Sequence, residues 1–377
     1  MKPLYLDNAA TTKVYPEVIK EMLPYFKEGY GNPSSPHILG DNAKKEINKA
    51  RITLAREINA KPQEIIFTSG GTESNNLAIQ GLAKAFPKKR TIVISEIEHP
   101  SIQEPCNYLQ TQEYNIIRIQ VNKEGIINLS ILEKEIKNNL QNIFLVSIMH
   151  VNSVLGTIQD IEKIGLLCKI NNIPFHTDAV QSFGKLNIDV KKFKIDLLSA
   201  SGHKIGAPKG IGFLYINEKI NLAPIILGGG QERNLRSGTE NVPSIIGFAK
   251  ALEITKKINK NKILELRNKL ISELEKIDGI INGSKNSRIY NNIHVSFPNI
   301  DADSLVLFLS KKGIYVSAGS ACESKKEKED QVLKAIRLNQ EYINSSIRIS
   351  LNEDIKDKDI PFIIKEIEKA IKILKIR

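Results

Sequence analysis

The stretch Ser199-Ala200-Ser201-Gly202-His203-Lys204 follows the apolar run Ile195-Asp196-Leu197-Leu198 and precedes Pro208-Lys209-Gly210-Ile211-Gly212. It reads as a strand that ends in a polar turn and presents a lysine. An amine, hydroxyls and an imidazole at a strand end suit an aldehyde cofactor that carries a phosphate. The amine condenses with the carbonyl, and the hydroxyls and imidazole bind the anion. A lysine after a strand is also what an ordinary solvated side chain looks like, so the neighbouring segments decide between the two.

Working upstream, Pro174-Phe175-His176-Thr177 reads as a short strand that delivers Asp178-Ala179-Val180-Gln181. A carboxylate there can pair with a pyridine nitrogen and keep it protonated, which turns the ring into an electron sink. Asp178 precedes Lys204 by what reads as one strand-helix-strand unit, the separation expected if both reach one ring from neighbouring strands. The run Ile143-Phe144-Leu145-Val146-Ser147-Ile148-Met149 has the composition of a buried parallel strand. Asn152 lies just beyond it, at the carboxyl edge where open α/β sheets bind ligands. A helix over about 161–171 joins these two strands.

Further upstream, Ile65-Ile66-Phe67-Thr68 feeds Ser69-Gly70-Gly71-Thr72-Glu73-Ser74-Asn75-Asn76 and then helical Leu77-Ala78-Ile79. Free N–H groups and the helix dipole at such a start favour a phosphate; a tight turn with a capped helix is the alternative. The glycines match neither a Walker loop nor a dinucleotide fingerprint. The strand Thr91-Ile92-Val93-Ile94 ends at Glu98-His99-Pro100-Ser101, with His99 just ahead of a helix that Pro100 starts. That histidine can stack on a flat ring, move protons or cap the helix. A helix is predicted over about 41–59, and Cys106 and Cys168 read as core residues. Short apolar runs alternate with amphipathic segments from about residue 60 to 250, which predicts an α/β fold with a mostly parallel sheet.

With 377 residues, the chain is long enough for a large domain plus a smaller one. It has no run of roughly 18 apolar residues and no signal-peptide core at Met1-Lys2-Pro3-Leu4-Tyr5-Leu6-Asp7, so no membrane association and a cytoplasmic location are expected. Three cysteines in so long a chain make no disulfide framework, which fits a reducing compartment. The net charge of +12 is spread among interleaved Lys and Glu, as in Glu366-Ile367-Glu368-Lys369, and no nucleic-acid motif accompanies it. Direct nucleic-acid binding is therefore not expected, while anionic substrates or an acidic protein partner would gain from the charge.

Taken with Leu6-Asp7-Asn8-Ala9-Ala10-Thr11-Thr12, Gly31-Asn32-Pro33-Ser34-Ser35, Gly228-Gly229-Gly230-Gln231-Glu232 and Arg236-Ser237-Gly238-Thr239-Glu240-Asn241, these motifs follow one another as in a known family. The chain resembles the class V aminotransferases, which are pyridoxal-phosphate enzymes, and within them the cysteine desulfurases. The resemblance covers nearly the whole chain. It implies the pyridoxal-phosphate fold type I, an α/β architecture with a mostly parallel sheet in a large domain and a smaller α+β domain. The large cofactor-binding domain would span 15–255, and the small domain 1–14 with 256–377. It also implies roles. Lys204 would condense with the aldehyde of pyridoxal 5′-phosphate, Asp178 would pair with the ring nitrogen, and His99 would stack on the ring and carry protons. Asn152 and Gln181 would address the phenolic oxygen. Gly71, Thr72, Ser201 and His203 would hold the phosphate, and Thr239 would reach it from the other subunit of a homodimer.

Near the end of the chain, Val316-Ser317-Ala318-Gly319-Ser320-Ala321-Cys322-Glu323-Ser324 is a run of small residues leading to a thiol, followed by the polar Lys325-Lys326-Glu327-Lys328-Glu329-Asp330. A cysteine on such a loop is a candidate nucleophile, and neighbouring lysines favour its thiolate. The run resembles the long-loop desulfurases, which implies transfer of sulfur from L-cysteine, as a persulfide on Cys322, to an iron-sulfur scaffold or a tRNA-thiolating enzyme, with release of L-alanine. No resident metal is expected, although Cys322 could transiently ligate an iron-sulfur cluster. In Ser346-Ile347-Arg348-Ile349-Ser350, Arg348 is placed to capture an amino-acid carboxylate, with Asn152 beside it. Two departures stand out. Val154 occupies a position where the family commonly has glutamate, and Leu351-Asn352 replaces a common glycine. A selenocysteine lyase, an aminotransferase of the same family or a catalytically impaired interaction module are the alternative readings.

Overall fold

A computed structural model of the chain describes residues 3–318 and 331–375. In chain order its elements are β1 (Leu4–Tyr5), α1 (Pro16–Met22), α2 (Pro24–Lys27), α3 (Ile38–Glu57), β2 (Ile65–Thr68), α4 (Gly71–Ala85), β3 (Thr91–Ser95), α5 (Pro100–Gln110), β4 (Asn115–Ile119), α6 (Leu129–Asn139), β5 (Ile143–Ser147), α7 (Ile161–Ile170) and β6 (Phe175–Asp178). There follow β7 (Leu197–Ser201), β8 (Gly212–Ile216), α8 (Val242–Thr255), α9 (Lys260–Lys276), β9 (Ile280–Ile281), β10 (Asn292–Ser296), α10 (Ala302–Lys311), β11 (Ile314–Tyr315), β12 (Ser317–Ala318), α11 (Gln331–Ala335), α12 (Gln340–Asn344), β13 (Ser346–Ser350) and α13 (Ile360–Leu374).

The expected α/β sheet is present as a seven-stranded sheet in the order β2-β8-β7-β6-β5-β3-β4. All pairs are parallel except those of β8, which runs antiparallel to β7 and β2. The strands β3, β5, β6 and β7 are buried along their whole length, as a sheet covered by helices on both faces requires; β3 and β5 are mainly apolar, while β6 and β7 carry polar residues toward their carboxyl ends. On one face Val93, Phe175, Leu198 and Phe213 pack with Leu54 of α3 and Phe248 of α8. On the other, Ile92, Ile94, Leu197 and Leu214 pack with Leu77 and Leu82 of α4 and Ile102 of α5. A separate core joins Leu6 to Leu266 and Leu270 of α9, Leu305 of α10, Ile347 and Ile349 of β13 and Ile363 of α13. It lies on the four-stranded sheet β12-β13-β10-β9, while β1 pairs in parallel with β11. None of the described helices is long and apolar enough to cross a membrane.

The edge of the large sheet at β2 is closed by side chains. Arg51 on α3 donates to the Ile65 carbonyl at 2.6 Å, and the Phe67 N–H donates to Glu232 at 2.8 Å. Arg51 and Glu232 also form a two-pronged ion pair at 2.7 and 2.8 Å, with the guanidinium 4.6 Å from the centre of the Phe67 ring. Backbone groups that would template a further strand are thereby occupied.

The structure departs from the sequence expectations in a few places. The stretch Ser199–Ser201 belongs to β7, and the polar turn begins only at Gly202, as a 3-10 turn over Gly202–Lys204. The link between β6 and β7 contains turns and no helix. Gly184 adopts a left-handed backbone with φ 71° there, a conformation no helix carries. The β6–β7 pairing survives, with Asp178 opposite Ser199. The helix predicted from residue 41 begins at Ile38, where the His37 side chain accepts the Gly40 N–H at 3.2 Å.

Candidate active site

A cavity of about 230 Å³ opens at the carboxyl ends of the parallel strands, where the α/β topology collects the ends of several βα turns. Gly71 and Thr72 reach it from the start of α4, His99 from the start of α5, Asp178 and Gln181 from the end of β6, and Ser201, His203 and Lys204 from the end of β7. Arg348 enters from β13, and Ala9 and Ala10 from the N-terminal segment.

Two donors orient Asp178. The Val180 N–H donates to one carboxylate oxygen and Asn75 Nδ2 to the other, both at 2.9 Å. Asn75 also donates to Ser101 Oγ at 2.8 Å, and Ser101 Oγ lies 2.8 Å from His99 Nδ1. The Ser101 N–H donates to the same Nδ1 at 3.1 Å, making His99 the cap of α5. Because that N–H can only donate and Ser101 Oγ already accepts from Asn75, Nδ1 is an acceptor. The neutral ring therefore carries its proton on Nε2.

Lys204 Nζ donates to the Ala9 carbonyl at 2.6 Å and to the Ala10 carbonyl at 2.8 Å. Gln181 Nε2 donates to the Ala9 carbonyl as well, at 2.9 Å. His203 Nδ1 lies 3.1 Å from Thr11 Oγ1. Burial, then the charges of Lys204, Lys209 and Lys185, lower its pKa to about 4, so it meets a ligand as neutral imidazole. Gly71 has no room for a side chain, because a Cβ there would sit 2.5 Å from Val180 Cγ2. The first N–H groups of α4 thus lie at the cavity wall, without intrahelical acceptors. Immediately before His99, the cap of α5, burial raises the Glu98 carboxyl to about 8 against the bonds from Ser95 Oγ at 2.5 Å and the Met149 N–H at 2.9 Å, and its Oε2 has no partner.

Arg348 is buried. Its guanidinium donates to Asp7 at 2.8 Å and to the Ser153 carbonyl at 3.2 Å, and its Nε has no acceptor. Three named residues are not part of this wall. Asn152 lies behind it, with its carbonyl oxygen accepting the Val154 and Leu155 N–H groups and its amide donating to the Ile97 carbonyl. Thr239 is exposed and apart from the cavity. Cys322 and the polar run after it lie outside the described residues. Val154, at the position of the missing carboxylate, is a core residue, and Leu351 is buried with a turn from Asn352 to Ile355 that needs no glycine.

Residues 4–361 match the aminotransferase class-V family. The chain belongs to that family. A curated relative, "Cysteine desulfurase IscS" of Methanosarcina thermophila, is 43% identical over 379 residues, covering 99% of this chain and 93% of that protein. Among solved structures, a "NifS-like protein" superposes with a TM-score of 0.92 at 37% identity over 98% of this chain and 100% of its own. A second, "SspA in complex with cysteine", gives 0.84 at 38% identity over 92% of this chain and 98% of its own. Class V aminotransferases are in general pyridoxal-phosphate enzymes, and the mixed α/β fold with its large, mostly parallel sheet is that of fold type I.

Sequence reasoning overlooked Asn75, Ser101, Asp7 and Lys185. Asn75 was within reach, since it stands one helical turn after Gly71 and therefore on the same face of α4. Asp7 carries no such local signal, because its partner Arg348 comes from a distant segment.

Proposed function

We propose that the chain is a pyridoxal 5′-phosphate-dependent cysteine desulfurase, which takes sulfur from L-cysteine onto Cys322 and releases L-alanine. The observation that carries this reading is the convergence of Lys204, Asp178, His99 and the start of α4 on one cavity with Arg348 at its edge. The full-length likeness to proteins named cysteine desulfurase, and to a relative described in complex with cysteine, supports the choice of substrate.

The donor set fits the cofactor. The crowded Gly71 turn, Thr72, Ser201 and neutral His203 suit a phosphate, and Asp178 and Lys204 suit the two ends of a pyridine aldehyde. When bound, the cofactor supplies an electron sink that stabilises negative charge at the substrate α-carbon. Arg348 holds the substrate carboxylate, for which its unpartnered Nε is a ready donor. Lys204 takes the α-proton, and His99 offers its Nε2 proton near the departing sulfur. The Cys322 thiolate attacks the substrate sulfur. As the S–S bond forms, the Cβ–S bond breaks with its electron pair going to carbon, which gains a proton on the way to alanine. Cys322 is left as the persulfide for an acceptor protein. The three cysteines suit a reducing, cytoplasmic setting. Apolar Ile19, Leu23, Phe26, Tyr30 and Leu227 on the surface support a homodimer, in which the partner subunit's Thr239 completes the phosphate site.

The purified protein should be yellow, its visible absorbance should change on adding L-cysteine, and alanine should accumulate. Lys204→Ala should abolish the spectral change, and Cys322→Ala should abolish sulfide and persulfide production while leaving the colour. A colourless protein that cannot be loaded, or undiminished sulfide release from Cys322→Ala, would overturn the proposal.

A further inference from the structure

Lys185 is a second lysine beside the first. It is 6% exposed, which is rare for a lysine and leaves its amine with little water. Its Nζ reaches Gln181 Oε1 at 3.4 Å, so the donor end of that amide points the other way, at the Ala9 carbonyl. The same carbonyl receives Lys204 Nζ at 2.6 Å. Both lysines also line a second, small cavity of about 40 Å³, together with Tyr15, Tyr290 and Glu353.

We propose that Lys185 is a positioning residue of the active site, which holds the Gln181 amide in its donating orientation and sets a second amine close enough to Lys204 for the two to compete for protons. The charged groups around it make the competition one-sided. Lys204 acts on it from the end of β7, and Lys260 on α9 acts from the other side while donating to the Gly184 carbonyl at 3.0 Å. Glu353 on the wall of the small cavity is engaged with Tyr15, and Glu57 acts on Lys260. Burial first, then the charges of Lys204 and Lys260, lower Lys185 to about 7, so it titrates within the working range of an enzyme. Coupling between two amines is mutual, and a cation beside a lysine is a known means of making that lysine a better nucleophile. A lysine buried only to fill space would leave Lys204 untouched when replaced.

The inference rests on Lys204 as the reactive amine, and the test separates the two. In the cofactor-free protein, acylation of Lys185 by acetic anhydride is followed across pH by mass spectrometry. Lys204→Met, which removes the neighbouring charge, should move the Lys185 midpoint upward by about one pH unit, and Lys204→Arg should leave it near the wild-type value. In the loaded protein Lys185→Met should raise the midpoint of the pH-dependent visible absorbance, and Lys185→Arg should lower it. If Lys185→Met does not fold, lysine-labelled NMR of Lys204→Ala serves in its place, with the Lys185 midpoint expected to rise. Midpoints unchanged from wild type in a yellow protein overturn the inference alone. A labelling shift in a protein that takes up no pyridoxal phosphate upholds the pair and overturns the functional reading instead.

Discussion

His99 is held by groups that leave it little choice. With Nδ1 accepting from the Ser101 N–H, its Nε2 carries the proton of the neutral ring. Nitrogen-15 NMR of histidine-labelled protein should find the Nε2–H tautomer, and Ser101→Ala should preserve it because the backbone donor remains. Asn75→Ala removes a donor from Asp178 and from Ser101 together, and should cost about 1–3 kcal/mol in cofactor affinity, read by equilibrium dialysis. Glu98 offers a pH test. Its folded pKa of about 8 stands above the ordinary carboxylate value, so between about 4.5 and 8 the folded state holds a proton that the unfolded state has released. Stability falls as pH rises through that window, and Glu98→Gln should gain on wild type across it, with the largest margin above pH 8 in urea melts. At this scale the sequence was legible where a chemistry-bearing residue sat at a strand end, as Asp178 and Lys204 do. It was silent on which neighbour would orient it, and Asn152 turned its amide to its own loop.

Among the elements, those with a strong local pattern were readable: β2 leading into α4, and β3 into α5 by way of His99. Apolar runs report burial and carry no sign of direction, so the antiparallel course of β8 and the helix-free link from β6 to β7 had no signature. The seal on β2 was equally hidden, since Arg51 and Glu232 are 181 residues apart. Glu232 is almost wholly buried, its side chain 2% exposed, and removing it strands the guanidinium against the Phe67 ring. Glu232→Ala should cost about 3–5 kcal/mol in denaturant unfolding and favour aggregation through the uncovered edge. The pair replaced together by apolar residues should lose less.

At the scale of the whole molecule, the described residues expose the apolar side chains of Ile19, Leu23, Phe26, Tyr30 and Ile38 within one short stretch of chain, and that of Leu227 beside the glycine motif. The proposed homodimer would cover these side chains. Light scattering should give twice the chain mass, and Leu23→Asp with Phe26→Asp should halve it and weaken cofactor retention. The alternation of apolar runs and amphipathic segments from about residue 60 to 250 corresponds to the large sheet and its helices. The contacts between the N-terminal segment and β13 had no signature, because they join residues 341 apart.

Those contacts also bear on how the protein is made. The carbonyls that receive Lys204 belong to Ala9 and Ala10, in a segment anchored by the Ala9 N–H to Ser350 Oγ at 2.8 Å and by Asp7 to Arg348. During synthesis residues 7–10 leave the ribosome well before their anchor at 348–350 does. The seven-stranded sheet can assemble while translation continues, but the seat of the lysine is finished only when β13 is free. A ribosome-stalled chain ending before residue 346 should accordingly be compact and catalytically silent, because the seat of Lys204 and the arginine beside it are both still missing.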